Sequence, residues 1–204
     1  MATTFDLNVQ LSDFSIISRA RKALLLLIAN NLNSDISFSD PVRLLFICTH
    51  NSRRSLLAEV LSDLLAKHYD LPIESYSGGT EATAFNSQMV RALESFGIEF
   101  TTQDVQENPS YCLINQPEKK YFSKRFDDDA NPNRTFFAFM VCDQADESCP
   151  VVPGAKYRFP LKYKDPKVYD DTSQSAEMYR NKVIEVGTEL NFIFHMLHKY
   201  RLSN

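Results

Sequence analysis

The sequence predicts an α/β fold built around a mainly parallel β-sheet. Four short apolar segments, rich in β-branched and aromatic residues, indicate strands, and segments with helical periodicity lie between and around them. Strands that alternate with helices are typical of βαβ units, whose strands run parallel. With 204 residues, of which 44% are hydrophobic and 24% charged, the chain fits one large domain of an ordinary globular protein.

Each element is predicted from its own residues. A helical stripe of apolar side chains over 13–32 predicts an N-terminal helix, and the polar segment over 34–41 predicts a linker. Pro72 and Gly97 mark the ends of two later helices. In chain order, the further predicted elements are a strand over 42–47, a helix over 53–68, a strand over 73–77, a helix over 87–96, a strand over 135–141, a short strand over 157–160 and a helix over 173–200.

Residues 115–134 interrupt this alternation. They carry many charges and no clear periodicity, so we predict a solvated surface loop; the alternative is a lid or docking loop over an active site. Three consecutive aspartates, 127–129, lack further ligands at a fitting spacing. We therefore predict no metal site there.

Charge and cysteine content narrow the class of protein. The net charge of −4 gives no general reason to bind nucleic acid or an anionic membrane. The first ten residues lack the pattern of a signal peptide, and the longest apolar run, over 23–29, is too short to span a membrane. The four cysteines are then expected to be free thiols used for chemistry, which predicts a cytoplasmic protein.

The most informative segment joins the first predicted strand to the next helix. A loop in this position lies at the carboxyl edge of a parallel sheet, where a helix N-terminus offers unpaired amides to an anion. Cys48 would lie beside those amides and a cation, which favours the reactive thiolate, and Arg54 could bind two oxygens of a tetrahedral oxyanion at once. The alternative is a buried structural cysteine at a strand end.

The residues between Cys48 and Arg54, together with Ser55, complete the predicted oxyanion loop. Backbone amides of a tight loop can surround the oxygens of the anion, and either Ser52 or Ser55 could donate a hydrogen bond to the Cys48 sulfur. Asn51 tolerates a left-handed backbone. The predicted oxyanion-binding residues are Thr49, His50, Asn51, Ser52, Arg53 and Ser55.

This loop, with Ser55 and Glu59, resembles the low-molecular-weight protein tyrosine phosphatase superfamily. The segment 76–81 resembles the Ser-Ala-Gly segment of that family, and Asp165-Pro166 resembles its late Asp-Pro. The resemblance implies a three-layer sandwich with a four-stranded sheet, and Asp165 as the general acid. His50 stands where the family usually has glycine, and Arg53 where it often has cysteine.

The same resemblance suggests the domain organisation. It covers about residues 42–200, which leaves an N-terminal helical extension over 1–40 and a phosphatase-like catalytic domain over 41–204, with an insertion near 115–134.

Arsenate reduction and phosphate ester hydrolysis would both use this oxyanion loop, and the other cysteines of the chain distinguish between the two activities. Cys142 and Cys149, with Ala145-Asp146 and Pro150, resemble the redox segment of the thioredoxin-coupled arsenate reductases. That resemblance implies a relay in which Cys48 binds arsenate, Cys142 attacks Cys48, and Cys149 passes the disulfide to thioredoxin. One alternative is a phosphatase that hydrolyses phosphate monoesters through a Cys48 phosphoenzyme. Another is an oxyanion-binding thiol sensor with little turnover.

A cation site is the last candidate. Asn51, Glu59 and Ser77 resemble a potassium-linked polar network in some reductases, although structural hydrogen bonding is the simpler explanation for them. We predict no bound cofactor beyond this possible potassium ion. The predicted partners are arsenate or a phosphate monoester and thioredoxin, and the sequence does not predict an oligomeric state.

Overall fold

The fold is built around a central β-sheet. The computed structural model describes residues 11–37, 40–102, 107–149 and 151–203. In chain order the elements are α1 (Arg19–Asn33), β1 (Val42–Cys48), α2 (Arg54–His68), β2 (Ile73–Gly79), α3 (Ser87–Glu94), β3 (Phe100–Thr102), β4 (Tyr111–Leu113), β5 (Gln116–Tyr121), β6 (Phe136–Met140), α4 (Asp143–Ser148), β7 (Ala155–Pro160) and α5 (Ser175–Leu202). Short 3₁₀ helices lie at Phe14–Ile16 and Pro166–Tyr169.

The central sheet has four parallel strands in the order β2-β1-β6-β7. Its two inner strands, β1 and β6, are almost entirely buried, as expected when helices cover a parallel sheet. The α/β fold with a four-stranded parallel sheet is thereby confirmed. The predicted strands and the helices after residue 40 also occur, and their ends differ from the predictions by no more than two residues.

The helices bury apolar stripes against this sheet and against each other. Helix α2 packs on β1 and β2, and the long helix α5 packs on α1, α2 and α3. Leu61 of α2 and Phe194 of α5 are fully buried. No helix among the described residues combines the length and apolar character needed to cross a membrane.

The N-terminal helix begins later than the apolar stripe predicted. Asp13 accepts a hydrogen bond from the Ser15 amide and starts a 3₁₀ turn, while Ser18 accepts one from the Arg21 amide at 3.2 Å and starts α1. Two N-caps therefore divide the predicted segment. Residues 1–10 and 38–39 of the proposed extension lie outside the described residues, and the described helix packs on α5.

The prediction of a solvated loop over 115–134 was wrong for its first part. Residues 116–121 form β5, which joins β3 and β4 in a second, antiparallel sheet. Charges in this segment have partners: Lys119 forms an ion pair with Asp63 at 2.5 Å, and its ammonium lies 5.4 Å from the centre of the Tyr121 ring. Lys124 is also buried. The sequence shows which residues in this segment are charged, but it does not show which carboxylates they contact in the fold.

Candidate active site

The predicted oxyanion loop lies at the carboxyl edge of the central sheet. Cys48 is the last residue of β1, and Arg54 is the first residue of α2. The neighbouring strand ends at Gly79, where a Cβ would lie 2.6 Å from the Thr49 carbonyl oxygen and 2.7 Å from the Asn51 amide nitrogen. Glycine at this position therefore allows the loop to pass close to β2, a requirement that sequence reasoning missed.

The loop directs its carbonyl groups outward. The carbonyl oxygens of Thr49, His50 and Ser52 all accept hydrogen bonds from the surrounding scaffold; the donors are Thr80, Glu81, Thr83, Asn86 and Ser123. Within the described part of the chain, the amides of residues 49–55 donate to no protein acceptor, and α2 has no side-chain cap. These amides are therefore available to a tetrahedral anion.

A buried hydrogen-bond network lies beside Cys48, the predicted nucleophile. Asn51, with a positive φ of 44°, donates through Nδ2 to the Oγ atoms of Ser55 and Ser77, both at 2.8 Å. Ser77 in turn donates to Glu59 at 2.6 Å. The Ser55 Oγ atom also lies 3.0 Å from the Cys48 sulfur, and when Cys48 is a thiolate the Ser55 hydroxyl must be the donor of this hydrogen bond. Of the two predicted candidates, Ser55 is thus the donor, since the Ser52 hydroxyl binds a backbone carbonyl.

Removing this donor is expected to slow catalysis. Ser55→Ala should lower kcat on the order of 10-fold with little change in KM, because a hydrogen bond to a charged group contributes about 1.5 kcal/mol or more. The bond stabilises Cys48 as a leaving thiolate. Steady-state kinetics check this result, with Ser62→Ala, a buried serine on the same helix whose hydroxyl has no partner among the described residues, as the matched control. An unchanged kcat in Ser55→Ala would contradict the role.

Arg54 faces both the anion site and the predicted general acid. Its Nη2 lies 2.6 Å from Asp165 Oδ2, and its Nη1 donates to the Tyr163 carbonyl at 3.0 Å. The Nε atom is buried and has no partner among the described residues, so a donor remains for an incoming oxyanion. Asp165 is extended, as Pro166 predicts, and caps the following 3₁₀ helix through the Lys167 amide.

Two predicted loop residues direct their side chains elsewhere. Arg53 donates to the Tyr179 hydroxyl at 2.6 Å and to Asp170 at 2.8 Å. Burial and the hydrogen bond to Asp170 outweigh the opposite effect of Arg53 and raise the pKa of Tyr179 to about 12, so its hydroxyl remains protonated and donates to Asp170. The exposed His50 ring faces Glu81 at 3.7 Å. For Arg53 and His50, the backbone amide is therefore the better-placed donor to an oxyanion.

The two further cysteines of the predicted relay flank α4. Cys142 is buried at the helix N-terminus, where its sulfur lies 3.5 Å from Thr49 Oγ1 and accepts a hydrogen bond from the Ala145 amide at 3.3 Å. Cys149 follows the last helical residue, and burial raises the pKa of its thiol. Cys112 is buried in β4, and all four cysteines are free thiols. Pro150, part of the predicted resemblance, lies outside the described residues.

The predicted potassium ligands are faced by two lysines. The Glu59 carboxylate lies 3.6 Å from Lys119 Nζ and 4.0 Å from Lys124 Nζ. Neither lysine was part of the predicted site, because both come from the segment interpreted as a surface loop. Among the described residues, no three or more His, Cys, Asp or Glu side chains form a group that could hold a metal ion. Potassium binding therefore stays a prediction. At the predicted site, the Glu59 carboxylate already faces the ammonium groups of Lys119 and Lys124.

Comparison with known proteins identifies a matching family model and relatives of similar sequence. Residues 43–109 match the family model described as low molecular weight phosphotyrosine protein phosphatase. Arsenate reductase of Shouchella clausii is 27% identical over 147 residues, which are 71% of this chain and 89% of that protein. Arsenate reductase 2 of Staphylococcus epidermidis is 24% identical over 153 residues, 70% of this chain and 99% of that protein. The family resemblance is confirmed.

Solved structures of this family share the fold. The low molecular weight protein tyrosine phosphatase of T. tengcongensis superimposes with a TM-score of 0.55 at 18% identity, covering 76% of this chain and 98% of that one. The phosphatase of Vibrio cholerae gives 0.54 at 14% identity, covering 80% and 99%. Together, the family match and the named relatives support an enzyme of the reductase or phosphatase type.

Proposed function

We propose that the protein reduces arsenate to arsenite and is regenerated by thioredoxin. The observation that carries this proposal is the position of Cys142, whose sulfur lies against Thr49, the second residue of the oxyanion loop. Cys142 lies two residues after the end of β6, and β6 is the neighbour of β1, which ends at Cys48. The register of β1 with β6 ends at Ile47 and Met140, so Cys142 follows β6 at the same edge of the sheet as the loop that begins at Cys48. We propose that Cys142 attacks Cys48 from this position beside the loop.

The proposed reaction takes two electrons from two thiols. The Cys48 thiolate attacks arsenic and displaces one oxygen, which leaves as water after protonation by Asp165. The Cys142 thiolate then attacks the Cys48 sulfur, the electron pair of the sulfur–arsenic bond stays with arsenic, and arsenite leaves. The product is a Cys48–Cys142 disulfide.

The remaining steps restore the nucleophile. Cys149 attacks the Cys142 sulfur and releases the Cys48 thiolate, and the dithiol of thioredoxin reduces the Cys142–Cys149 disulfide. Throughout, the loop amides and Arg54 bind the arsenate oxygens, and Ser55 donates to the Cys48 sulfur. Since every step requires free thiols, we also propose that the protein works in a reducing compartment such as the cytoplasm.

The second disulfide requires a change in α4. Cys142 and Cys149 lie at opposite ends of this helix, about 10 Å apart along its axis at 1.5 Å per residue. A disulfide needs Cα atoms within about 7 Å, so the segment must unwind when it is oxidised. Unwinding also breaks the hydrogen bonds that Arg158 donates to the carbonyl oxygens of Asp146 and Cys149.

Hydrogen exchange should record this unwinding. The amides of Asp146 and Cys149, which bond to Cys142 and Ala145 in the reduced protein, are expected to exchange at least about 10-fold faster after oxidation. The amide of Val186, in the middle of α5, serves as the control and should be unaffected. Equal exchange of the α4 amides in both redox states would contradict the relay geometry.

Turnover with a reductant tests the proposal itself. Purified protein, thioredoxin, thioredoxin reductase and NADPH should oxidise NADPH when arsenate is added, with one arsenite formed per NADPH. Phosphate in place of arsenate should give no oxidation, because phosphorus does not accept the electron pair. Absence of arsenite in the complete mixture would refute arsenate reduction.

Hydrolysis of phosphate monoesters is the second candidate. The supporting observation is that Arg54 is paired with Asp165, and Cys48 with Ser55, through contacts that do not involve Cys142. In this reaction Asp165 protonates the leaving oxygen and then activates water to cleave the Cys48 phosphoenzyme. Aryl phosphate hydrolysis without arsenite formation would favour this candidate. Phosphate binding with neither reaction would instead favour the thiol sensor.

A further inference from the structure

The segment after β7 brings two groups to Arg54. The Tyr163 carbonyl accepts from Arg54 Nη1, and Asp165, two residues later, pairs with Arg54 Nη2. The Tyr163 amide donates to the Val141 carbonyl at 3.1 Å, and the Val141 amide donates to Ile47. The position of Asp165 is therefore tied to the ends of β1 and β6 through a single backbone segment.

A residue of the N-terminal helix holds the other side of this segment. Arg21 Nη2 donates to the Lys162 carbonyl at 3.2 Å, and the Arg21 guanidinium lies 5.1 Å from the centre of the Tyr163 ring. Arg21 is itself fixed by a two-pronged ion pair with Glu189 of α5, at 2.8 Å for both contacts. Arg21 thus joins α1, α5 and the acid-bearing segment.

Burial restricts the motion of Arg21 and of the groups that it contacts. The Tyr163 ring is buried, and the side chains of Arg21 and Glu189 are only 21% and 10% exposed. A planar guanidinium can meet a carboxylate, a carbonyl and an aromatic face at once, which an ammonium cannot. Removal of Arg21 would leave a largely buried carboxylate and an open space beside Tyr163, so the segment would move.

We propose that Arg21 is a positioning residue for Asp165, through which the N-terminal helix sets the geometry of the general acid. Arg21 lies before residues 42–200, over which the family resemblance runs, and it touches no reacting atom. The proposal rests on the acid role of Asp165 in the proposed function. It gives the N-terminal helix a role in catalysis besides its contribution to the core.

A double-mutant cycle separates positioning from a general structural role. We expect Arg21→Met to lower kcat/KM about 10-fold, since a displacement near 1 Å can cost up to about 100-fold. Asp165→Asn should cost about 100-fold or more, as expected for a lost general acid. In the Asp165→Asn background, Arg21→Met should then have an effect of less than about twofold, because its target is gone.

The controls lie on the same helix. Arg19→Met, an exposed arginine one half-turn earlier, should leave kcat/KM unchanged. Arg21→Lys keeps the charge but not the planar fork, so it should lose about threefold; it replaces Arg21→Met in the cycle if that variant does not fold. The cycle is run with whichever of arsenate or an aryl phosphate the wild-type protein turns over.

Each outcome decides a separate point. Losses that multiply in the double variant would show that Arg21 acts independently of Asp165, and an Arg21→Met variant as active as wild type would show no role; both overturn the positioning proposal alone. If Asp165→Asn is fully active, the acid role fails and the positioning proposal fails with it. Wild-type protein that turns over neither substrate overturns the proposed function and this inference together.

Discussion

Cys48→Ser is expected to abolish both arsenate reduction and phosphate ester hydrolysis, by at least about 10⁴-fold. A serine hydroxyl at neutral pH lacks the nucleophilic character of a thiolate, and no other described cysteine or serine occupies the end of β1. The loop amides and Arg54 are unchanged, so binding of inorganic phosphate should change by less than about threefold. Single-turnover arsenite formation, aryl phosphate kinetics and calorimetric phosphate binding measure the three quantities.

The binding measurement is also the folding control for this variant. Phosphate binding by Cys48→Ser, together with loss of both reactions, supports nucleophilic attack by sulfur. Retention of either reaction above about one hundredth of the wild-type rate would show that Cys48 is not the nucleophile.

Cys142→Ser is expected to separate the two reactions. Arsenite formation should fall by at least about 10³-fold, because the sulfur–arsenic bond is then cleaved only by chance thiols. Hydrolysis of an aryl phosphate should stay within about threefold of wild type, since Asp165 and water complete that reaction without Cys142. The protein should accumulate as a Cys48–arsenate adduct, detectable by mass spectrometry under native conditions.

Cys112→Ala is the matched control for this variant. Cys112 is buried in β4, and burial raises the pKa of its thiol, so it is expected to take no part in exchange. If Cys112→Ala turns over arsenate at the wild-type rate and Cys142→Ser does not, the attack on the Cys48 sulfur is assigned to the Cys142 thiol. Continued thioredoxin-coupled turnover in Cys142→Ser would contradict the relay.

Local sequence was enough to predict the position of the Cys48 loop between a strand and a helix. Cys48 and Arg54 lie only six residues apart, and the strand that ends at Cys48 and the helix that begins at Arg54 are each specified by their own periodicity. The extended backbone of Asp165 follows in the same way from Pro166. In these cases, the chemistry depends on residues close together along the chain.

Contacts between distant segments could not be predicted in this way. Lys119 and Lys124 face Glu59 only because 116–121 form a second sheet, and a charge run carries no sign of which carboxylates it meets. Arg53 was predicted to bind the oxyanion, yet its side chain binds Asp170 and Tyr179, which lie over a hundred residues later in the chain. Side-chain partners of this kind follow from tertiary packing, which no local pattern encodes.

The most direct test of the account is a single turnover without external reductant. Fully reduced protein is mixed with one equivalent of arsenate, the free thiols are alkylated, and the peptides are mapped by mass spectrometry. The relay predicts one arsenite per protein and one disulfide, between Cys142 and Cys149, with Cys48 and Cys112 alkylated. Arsenite formation with Cys142 and Cys149 both alkylated, or a disulfide that includes Cys112, would contradict it.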